Sequence, residues 1–247
     1  CSLKLFTLLM EKNTMKLNEI WDMGELIDLG ADIYEGMPQV PPPLFPSVQI
    51  RELDLSSRAK GRGYMSYSQS VLMPVQVSTY LETGAHMFPE MEKISEVGLD
   101  RLFLSAVVLQ IPRGSGEKVA ASDIELELAR NEVVVNPGDG LLIATGYNSY
   151  EVADFAKSPH FRYDAVEWVV RHRCALLGSD MGNWQDAGEK PHFFPMFLKS
   201  GTLLLAPMVN LTKIRVARIK LIVMPLKIHM ACASPCRVIG VVPTRIS

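Results

Sequence analysis

The densest cluster of chemically capable side chains lies between Tyr80 and Glu92, a stretch that contains one histidine and three carboxylates. Glu82 and His86 stand four residues apart around a tight turn at Gly84, so a helical turn or a folded loop would bring them together. A histidine beside a carboxylate is suited to moving protons at neutral pH. The pattern predicts His86 as a metal-free base oriented by Glu82, with Glu92 as a third catalytic residue. The alternative is that Glu82 and His86 only hydrogen-bond the loop backbone.

Polar and aromatic residues elsewhere predict the surroundings of this centre. Tyr80 and Asn183 lie near predicted strand ends or turns, where side chains can bind a carbonyl oxygen or a ligand hydroxyl. Asp180 follows a short apolar strand and either faces a pocket or caps the next turn. Phe88 belongs to a set of aromatic residues and methionines near the same segments. These are predicted to pack in the core or, if they line the site, to form an apolar pocket.

The candidate residues must be positioned by elements that the hydrophobic pattern predicts along most of the chain. Helical periodicity predicts helices at 122–131 and 163–171. Alternating or continuous apolar runs predict strands, several of them buried on both faces, at 25–29, 48–53, 71–77, 104–111, 141–146, 175–178, 202–206, 218–224 and 236–242. This order predicts a single α/β domain with a curved mixed sheet or barrel-like core and peripheral helices.

A loop rich in proline precedes the candidate centre. Residues 38–46 contain five prolines, a density that excludes a helix or a central strand and favours a stiff, extended loop. Such a loop is either a plain connection or a rigid wall beside a pocket.

Composition narrows the class of protein. A formal charge of −2 argues against nucleic acid or an anionic membrane as a partner and leaves small molecules. Cys232 and Cys236, near His229, lack the second pair that would complete a zinc site, so free thiols and a reducing, cytoplasmic location are predicted. Residues 1–20 include an apolar patch too short to span a bilayer and are predicted to be an extension or an expression remnant ahead of a domain at 21–247.

The segment 82–92 resembles the central motif of the cyclase or kynurenine formamidase-like family of metal-dependent hydrolases, His-x-Gly-Thr-His-x-Asp-x-Pro-x-His. Gly84 and His86 match that motif. The remaining key positions differ, with Glu82 at the first histidine, Ala85 at the threonine, Phe88 at the aspartate and Glu92 at the last histidine.

The resemblance extends over most of the chain and implies the family's swivelling β/β/α fold. The stretch 137–147 is similar to the family's Pro-Gly-Asp…Arg-Thr-Gly-Trp pattern. Further matches lie at 26–29, 36–38, 164–168, 177–180, 210–211, 225–227 and 234–237.

The resemblance also implies which metal-site residues have been lost. The family places a glutamate four residues before Asn210 and a histidine about twelve residues before that glutamate; this chain has Ala206 and Phe194 there. His192 would substitute after a small shift in register, or is a surface histidine. Since phenylalanine and alanine donate nothing to a cation, the usual water-activating centre is predicted to be absent.

The predicted function is that of a metal-independent cyclase or hydrolase-like enzyme acting by general acid-base chemistry on a small carbonyl-containing metabolite. A polyketide-like compound, a lactone or an amide would fit, in a biosynthetic role. Two alternatives stay open: a metal-dependent amide or lactone hydrolase that holds Mn or Zn with Glu82, His86 and Glu92, and a catalytically silent metabolite-binding protein. The resemblance implies a homodimer or homotetramer.

Overall fold

The structure is a computed structural model that describes residues 24–40, 42–55, 66–148, 157–186, 188 and 190–243. The predicted extension at 1–20 and the predicted start of the domain lie outside these residues. The helices of the described part are α1 (Ala121–Arg130), α2 (Tyr163–Arg171) and α3 (Phe194–Lys199). Its strands are β1 (Glu25–Asp28), β2 (Gln49–Glu52), β3 (Gln69–Leu72), β4 (Tyr80–Glu82), β5 (Phe103–Gln110), β6 (Lys118–Val119), β7 (Gly140–Ala144), β8 (His160–Phe161), β9 (Leu176–Ser179), β10 (Leu203–Ala206), β11 (Arg218–Pro225) and β12 (Ala233–Val242).

Seven strands form a closed barrel, which confirms the predicted barrel-like core. Their order is β12, β11, β5, β7, β9, β10 and β4, and β4 pairs again with β12 to close the ring. The neighbours from β5 to β10 are parallel, whereas the pairings of β4, β11 and β12 are antiparallel. β1 lies antiparallel on β12 outside the ring. The sheet is therefore mixed, as its patterns predicted.

Both faces of the parallel strands are buried, because successive side chains of a strand point to opposite sides. In β5, Ala106 and Val108 join a cluster built from alternate residues of the barrel strands. Val107 and Leu109 join a second cluster that includes Ile124 of α1 and residues of α2 and α3. The valine and leucine side chains each contribute about 1.5–3 kcal/mol by leaving water. The barrel interior and the helix-covered wall are thus two layers of one core.

The two predicted helices are confirmed, with one change at a terminus. α2 has the predicted bounds, while α1 begins one residue early, after Ala120 rather than at a Ser122 cap. The Asp123 carboxylate accepts a hydrogen bond from the Ala120 backbone N–H at 2.8 Å, so an acidic side chain of the first turn satisfies that donor.

Other bounds differ from the predictions. β3 ends at Leu72, so the strand predicted at 71–77 gives way to a loop before β4. Two short elements beside the candidate centre, β4 and α3, were not predicted. β2 and β3 do pair with each other, as expected of two alternating segments. No helix in the described part of the chain is long and apolar enough to cross a membrane.

Candidate functional site

A pocket of about 370 Å³ lies between the proline-rich loop and the approach to β4. Residues 38–40 and 44–45 of the proline-rich loop form a wall of this pocket. His86 and Tyr80 are also among its lining residues. The described residues that line it are Pro38, Gln39, Val40, Leu44, Phe45, Gln76, Val77, Ser78, Tyr80, His86, Gly182 and Pro207.

His86 is presented by a short 3-10 helix, Gly84–His86, that follows β4 directly. Thr83 caps this turn, since its Oγ1 accepts from the Ala85 N–H at 3.3 Å. The Thr83 N–H donates to the Cys232 carbonyl at 2.9 Å, which ties the turn to the segment just before β12. The helical turn that would bring Glu82 and His86 together is thus formed.

Gly84 permits a close approach between this turn and α3. A Cβ atom at Gly84 would lie 2.5 Å from the Leu198 backbone oxygen and 2.7 Å from the Met91 sulfur. The Leu198 backbone oxygen cannot move aside as the end of a flexible side chain could. The glycine of the motif is therefore required by packing, because any side chain would push the turn that carries His86 away from α3.

Three side chains converge below the pocket: Gln76, Glu82 and His86. The Gln76 Nε2 donates to Glu82 Oε2 at 2.5 Å and lies 3.1 Å from His86 Nδ1. Glu82 Oε2 and His86 Nδ1 are 3.9 Å apart, too far for a hydrogen bond. The predicted pairing of Glu82 with His86 is therefore an electrostatic contact, and the hydrogen bonds run through Gln76.

Burial differs sharply within this group. The Glu82 side chain is 4% exposed and that of His86 is 42% exposed, so the imidazole reaches solvent while the carboxylate does not. Burial raises the pKa of Glu82, and the nearby His86 and the hydrogen bond from Gln76 oppose that rise. Glu82 is consequently shielded from solvent and is not among the described lining of the pocket.

Cys232 adds a thiol to the same group. Its Sγ lies 4.0 Å from His86 Nδ1. Burial and then the negative charge of Glu82 raise the pKa of the Cys232 thiol, which keeps it protonated and a poor nucleophile. Cys236, on β12, faces Thr79 instead, and burial raises the pKa of its thiol to about 12. Both are free thiols, as predicted.

Glu92 and Phe88 are engaged elsewhere. Glu92 Oε2 accepts from Arg101 Nη1 at 2.5 Å, and Arg101 also donates to the Gly201 carbonyl at 2.6 Å. Phe88 is partly buried against the cluster beneath the helices. Neither residue is among the described lining of the pocket. The structure thus does not bring the predicted catalytic Glu92 together with Glu82 and His86.

The predicted contact residues Asp180, Asn183 and His192 are also outside the described lining. Asp180 is buried and accepts hydrogen bonds from the backbone N–H groups of Thr145 at 3.0 Å and Gly146 at 2.8 Å. Asp180 therefore has a structural role, although it holds the loop after β7 rather than capping the next turn. His192 lies in an exposed stretch. The participation of these three residues in substrate binding stays a prediction.

Sequence patterns missed Gln76, Ser78 and Cys232. Gln76 lies in a segment interpreted as strand, and a single glutamine carries no motif. Ser78 has a φ of 58° and donates to the Ala31 carbonyl at 2.8 Å, so it shapes the loop. Only the proline density at 38–46 gave a signal for this part of the pocket.

Comparison with protein families decides the class of the chain. The model of the Cyclase family matches residues 27–186, well over half of the sequence. The chain belongs to the cyclase family. Membership assigns it to the cyclase and hydrolase type of enzyme and confirms the family resemblance of its motifs. No curated protein matches the chain.

Solved structures share the fold of this cyclase-family protein at low sequence identity. An isatin hydrolase bound to thioisatinate is 19% identical with a TM-score of 0.77, covering 99% of this chain and 100% of its own. Isatin hydrolase A from Labrenzia aggregata, bound to benzyl benzoate, is 17% identical with a TM-score of 0.77 and coverages of 96% and 99%. A predicted metal-dependent hydrolase from Bacillus stearothermophilus is 21% identical with a TM-score of 0.69 and coverages of 87% and 97%.

The residues at the family's metal positions do not fit a catalytic cation. Phe88 stands where the resemblance expects an aspartate, and Phe194 and Ala206 stand at two further functional positions; all three pack in or against one apolar cluster. The Gln76 amide lies where Glu82 and His86 converge. No group of three or more histidine, cysteine or acidic side chains in the described ranges is arranged to hold a metal. A cation needs about three such donors.

Proposed function

We propose that this enzyme is a metal-independent cyclase or hydrolase that acts by acid-base chemistry on small, neutral, carbonyl-containing metabolites. The observation that carries the proposal is the convergence of Gln76, Glu82 and His86 beneath a pocket. In this arrangement a solvent-accessible imidazole exchanges a proton with the substrate, and Gln76 together with the buried Glu82 holds the ring.

The lining of the pocket supports a neutral ligand. Among its described residues there is no lysine, arginine, aspartate or glutamate, and most side chains are apolar. A carboxylate substrate would meet no lysine or arginine among these described residues, and the buried Glu82 behind His86 and Gln76 would repel it. A lactone, an amide or a polyketide-like ketone avoids both costs.

The size of the pocket supports a small and flat substrate. About 370 Å³ lies near the lower end of the range for ligand sites. Phe45, Tyr80 and Pro38 offer apolar faces for a ring. Thioisatinate and benzyl benzoate, which are bound to two of the similar structures, are both aromatic compounds.

Metal analysis of the purified full chain is the primary test. The protein is equilibrated with zinc and with manganese, dialysed, and analysed by elemental mass spectrometry beside a His86→Gln variant. We expect no stoichiometric metal in either protein. Near-equimolar metal that is lost in the variant would overturn the proposal and favour the alternative of a remodelled metal-dependent hydrolase.

A substrate panel tests the ligand class. Neutral lactones, amides and β-diketones are compared with the corresponding carboxylates, with His172→Gln as the control because His172 is exposed after α2 and outside the described lining. Turnover confined to neutral compounds, lost in His86→Gln and kept in His172→Gln, is expected. Preference for the carboxylates would contradict the ligand class. The predicted homodimer or homotetramer is tested on the same samples by light scattering.

A further inference from the structure

The hydrogen bonds around His86 restrict where its ring carries a proton. The nearest groups to Nδ1 are Gln76 Nε2 at 3.1 Å, Glu82 Oε2 at 3.9 Å and Cys232 Sγ at 4.0 Å. Nε2 has no hydrogen-bond partner among the described residues, and the side chain is 42% exposed at the pocket. The two nitrogens therefore face different surroundings.

The Gln76 amide has one orientation that satisfies both neighbours. Its NH₂ group has two protons, and Glu82 Oε2 at 2.5 Å takes one of them. The second proton points to His86 Nδ1. When Glu82 is ionised, a reversed amide would place its oxygen 2.5 Å from a carboxylate oxygen, and two acceptors would face each other, so the orientation is fixed above the raised pKa of Glu82. The amide nitrogen therefore faces His86.

A donor at Nδ1 determines the tautomer of the neutral ring. Since Gln76 donates to Nδ1, that nitrogen must offer its lone pair, and the ring proton resides on Nε2. A proton on Nδ1 would place two donors against each other at 3.1 Å. The ring edge that faces the pocket thus carries an N–H group.

The loop that carries Gln76 is anchored on its β4 side. Val77 is buried beside Met37 and Val48. Thr79 Oγ1 donates to the Pro207 carbonyl at 2.5 Å and accepts from the Ala31 N–H at 3.1 Å. Because the backbone on the β4 side of Gln76 is held in this way, the amide is presented to Glu82 and His86 by a supported loop.

We propose that Gln76 is a positioning residue that fixes His86 in the Nε2–H tautomer, so that the enzyme presents a hydrogen-bond donor to the carbonyl oxygen of its substrate. This inference rests on the proposed function and deepens it. The ground-state ring stabilises negative charge on that oxygen instead of withdrawing a proton from the substrate. His86 then acts as the acid, and not as the base, in acid-base chemistry.

Nitrogen NMR of the full chain with ¹⁵N-labelled histidine tests the inference. The chain has five histidines, and the signals of His86 are those missing from a His86→Gln spectrum. We expect neutral His86 with its proton on Nε2. In Gln76→Met, which keeps side-chain length but loses the amide, we expect this single tautomer to be lost. Gln39→Met is the control, since Gln39 also lines the pocket but donates to the Pro46 carbonyl.

Each outcome of that experiment has a distinct meaning. A wild-type ring with its proton on Nδ1, or a Gln76→Met spectrum with the tautomer unchanged, overturns the role of Gln76; the wild-type spectrum alone decides if Gln76→Met fails to fold. Metal content is measured on the same samples. A metal-free protein with the wrong tautomer overturns only this inference, whereas stoichiometric metal bound to His86 overturns both this inference and the proposed function.

Discussion

The Gln76 amide lies between Glu82 and His86, the residues that stand at the first two histidine positions of the family motif. An amide NH₂ links a carboxylate to an imidazole through directed hydrogen bonds and carries no net charge. It therefore holds the ring in place but cannot polarise water as a metal does. At the scale of single residues, an uncharged amide therefore stands between the carboxylate and the imidazole.

His86→Gln tests the central residue of the site. The substitution removes the only imidazole in the described lining of the pocket while keeping a polar side chain. We expect kcat to fall by about 10²–10⁴, the usual contribution of a positioned proton-transfer group. Steady-state kinetics on a substrate found in the panel measures this. Equal rates for the wild-type and variant enzymes would mean that the chemistry takes place elsewhere.

Cys232→Ser tests whether the thiol beside His86 is a nucleophile. Burial and Glu82 raise the pKa of this thiol, so we expect it to be unreactive and the variant to keep most of its activity. Mass spectrometry after treatment with iodoacetamide provides a second measurement, with Cys236 as an internal comparison. Rapid alkylation of Cys232 together with loss of activity in the serine variant would point to covalent catalysis.

The elements around the site are short, and their packing positions the residues. β4 has three residues and α3 has six, yet they hold the turn Gly84–His86 between them. Gly84 allows this contact, since its neighbour across the interface is a backbone oxygen. The orientation of His86 therefore depends on an interface between elements as well as on its own hydrogen bonds.

Gly84→Ala tests that interface. The added Cβ would meet the Leu198 oxygen at 2.5 Å, and we expect a loss of about 1–3 kcal/mol in the free energy of unfolding, with lower activity. Gly114→Ala is the matched control, because its Cβ would make only an ordinary contact at 3.5 Å with Glu117. Urea unfolding measures both. Equal stability of the two variants would show that the turn can move away from α3 without cost.

Long and apolar elements could be predicted from the sequence, whereas short or polar ones could not. β5, β7 and β10 could be predicted because burial on both faces requires continuous apolar runs. β4 was not predicted, because two of its three residues are polar. It is held in strand conformation by its pairing with β10 and β12, which its own sequence pattern does not indicate. Long-range pairing leaves no local signal.

The candidate site was predictable only in part, for a similar reason. Glu82, His86 and Tyr80 lie within one short segment, so their spacing indicated a site. Gln76 and Cys232 come to His86 from a loop and from the segment before β12, and no local pattern links them. Glu92 has a carboxylate at a suitable spacing, but this carboxylate forms an ion pair with the Arg101 side chain.

At the scale of the whole molecule, a closed barrel carries buried carboxyl groups whose protonation affects stability. Burial raises the pKa of Glu82 and of Asp180. A carboxyl group with a raised folded-state pKa binds its proton more tightly in the native protein than in the unfolded chain. Its contribution to stability is fully present below the unfolded pKa and is lost as the pH rises through the folded pKa.

Glu82→Gln tests this dependence. The variant has no ionisable group at this position, so it does not share the loss of stability that ionisation of Glu82 causes in the wild type. We therefore expect the free energy of unfolding of the variant, relative to that of the wild type, to increase as the pH rises above about 4.5, until the carboxyl group of the folded wild type has ionised. Chemical denaturation at several pH values measures the difference. Glu25→Gln, at an exposed position, is the control. A pH-independent difference for Glu82→Gln would contradict the assigned cause.

Closure of the ring has a consequence for when the enzyme becomes active. The turn that carries His86 is bound to the Cys232 carbonyl through the Thr83 hydroxyl, a contact between residues 149 positions apart in the chain. Contacts of such high sequence separation form late, because a long loop must first lose its freedom. During synthesis the His86 segment leaves the ribosome well before its partner strand exists. We therefore expect catalytic ability to arise only after β12 has joined the first half of the chain.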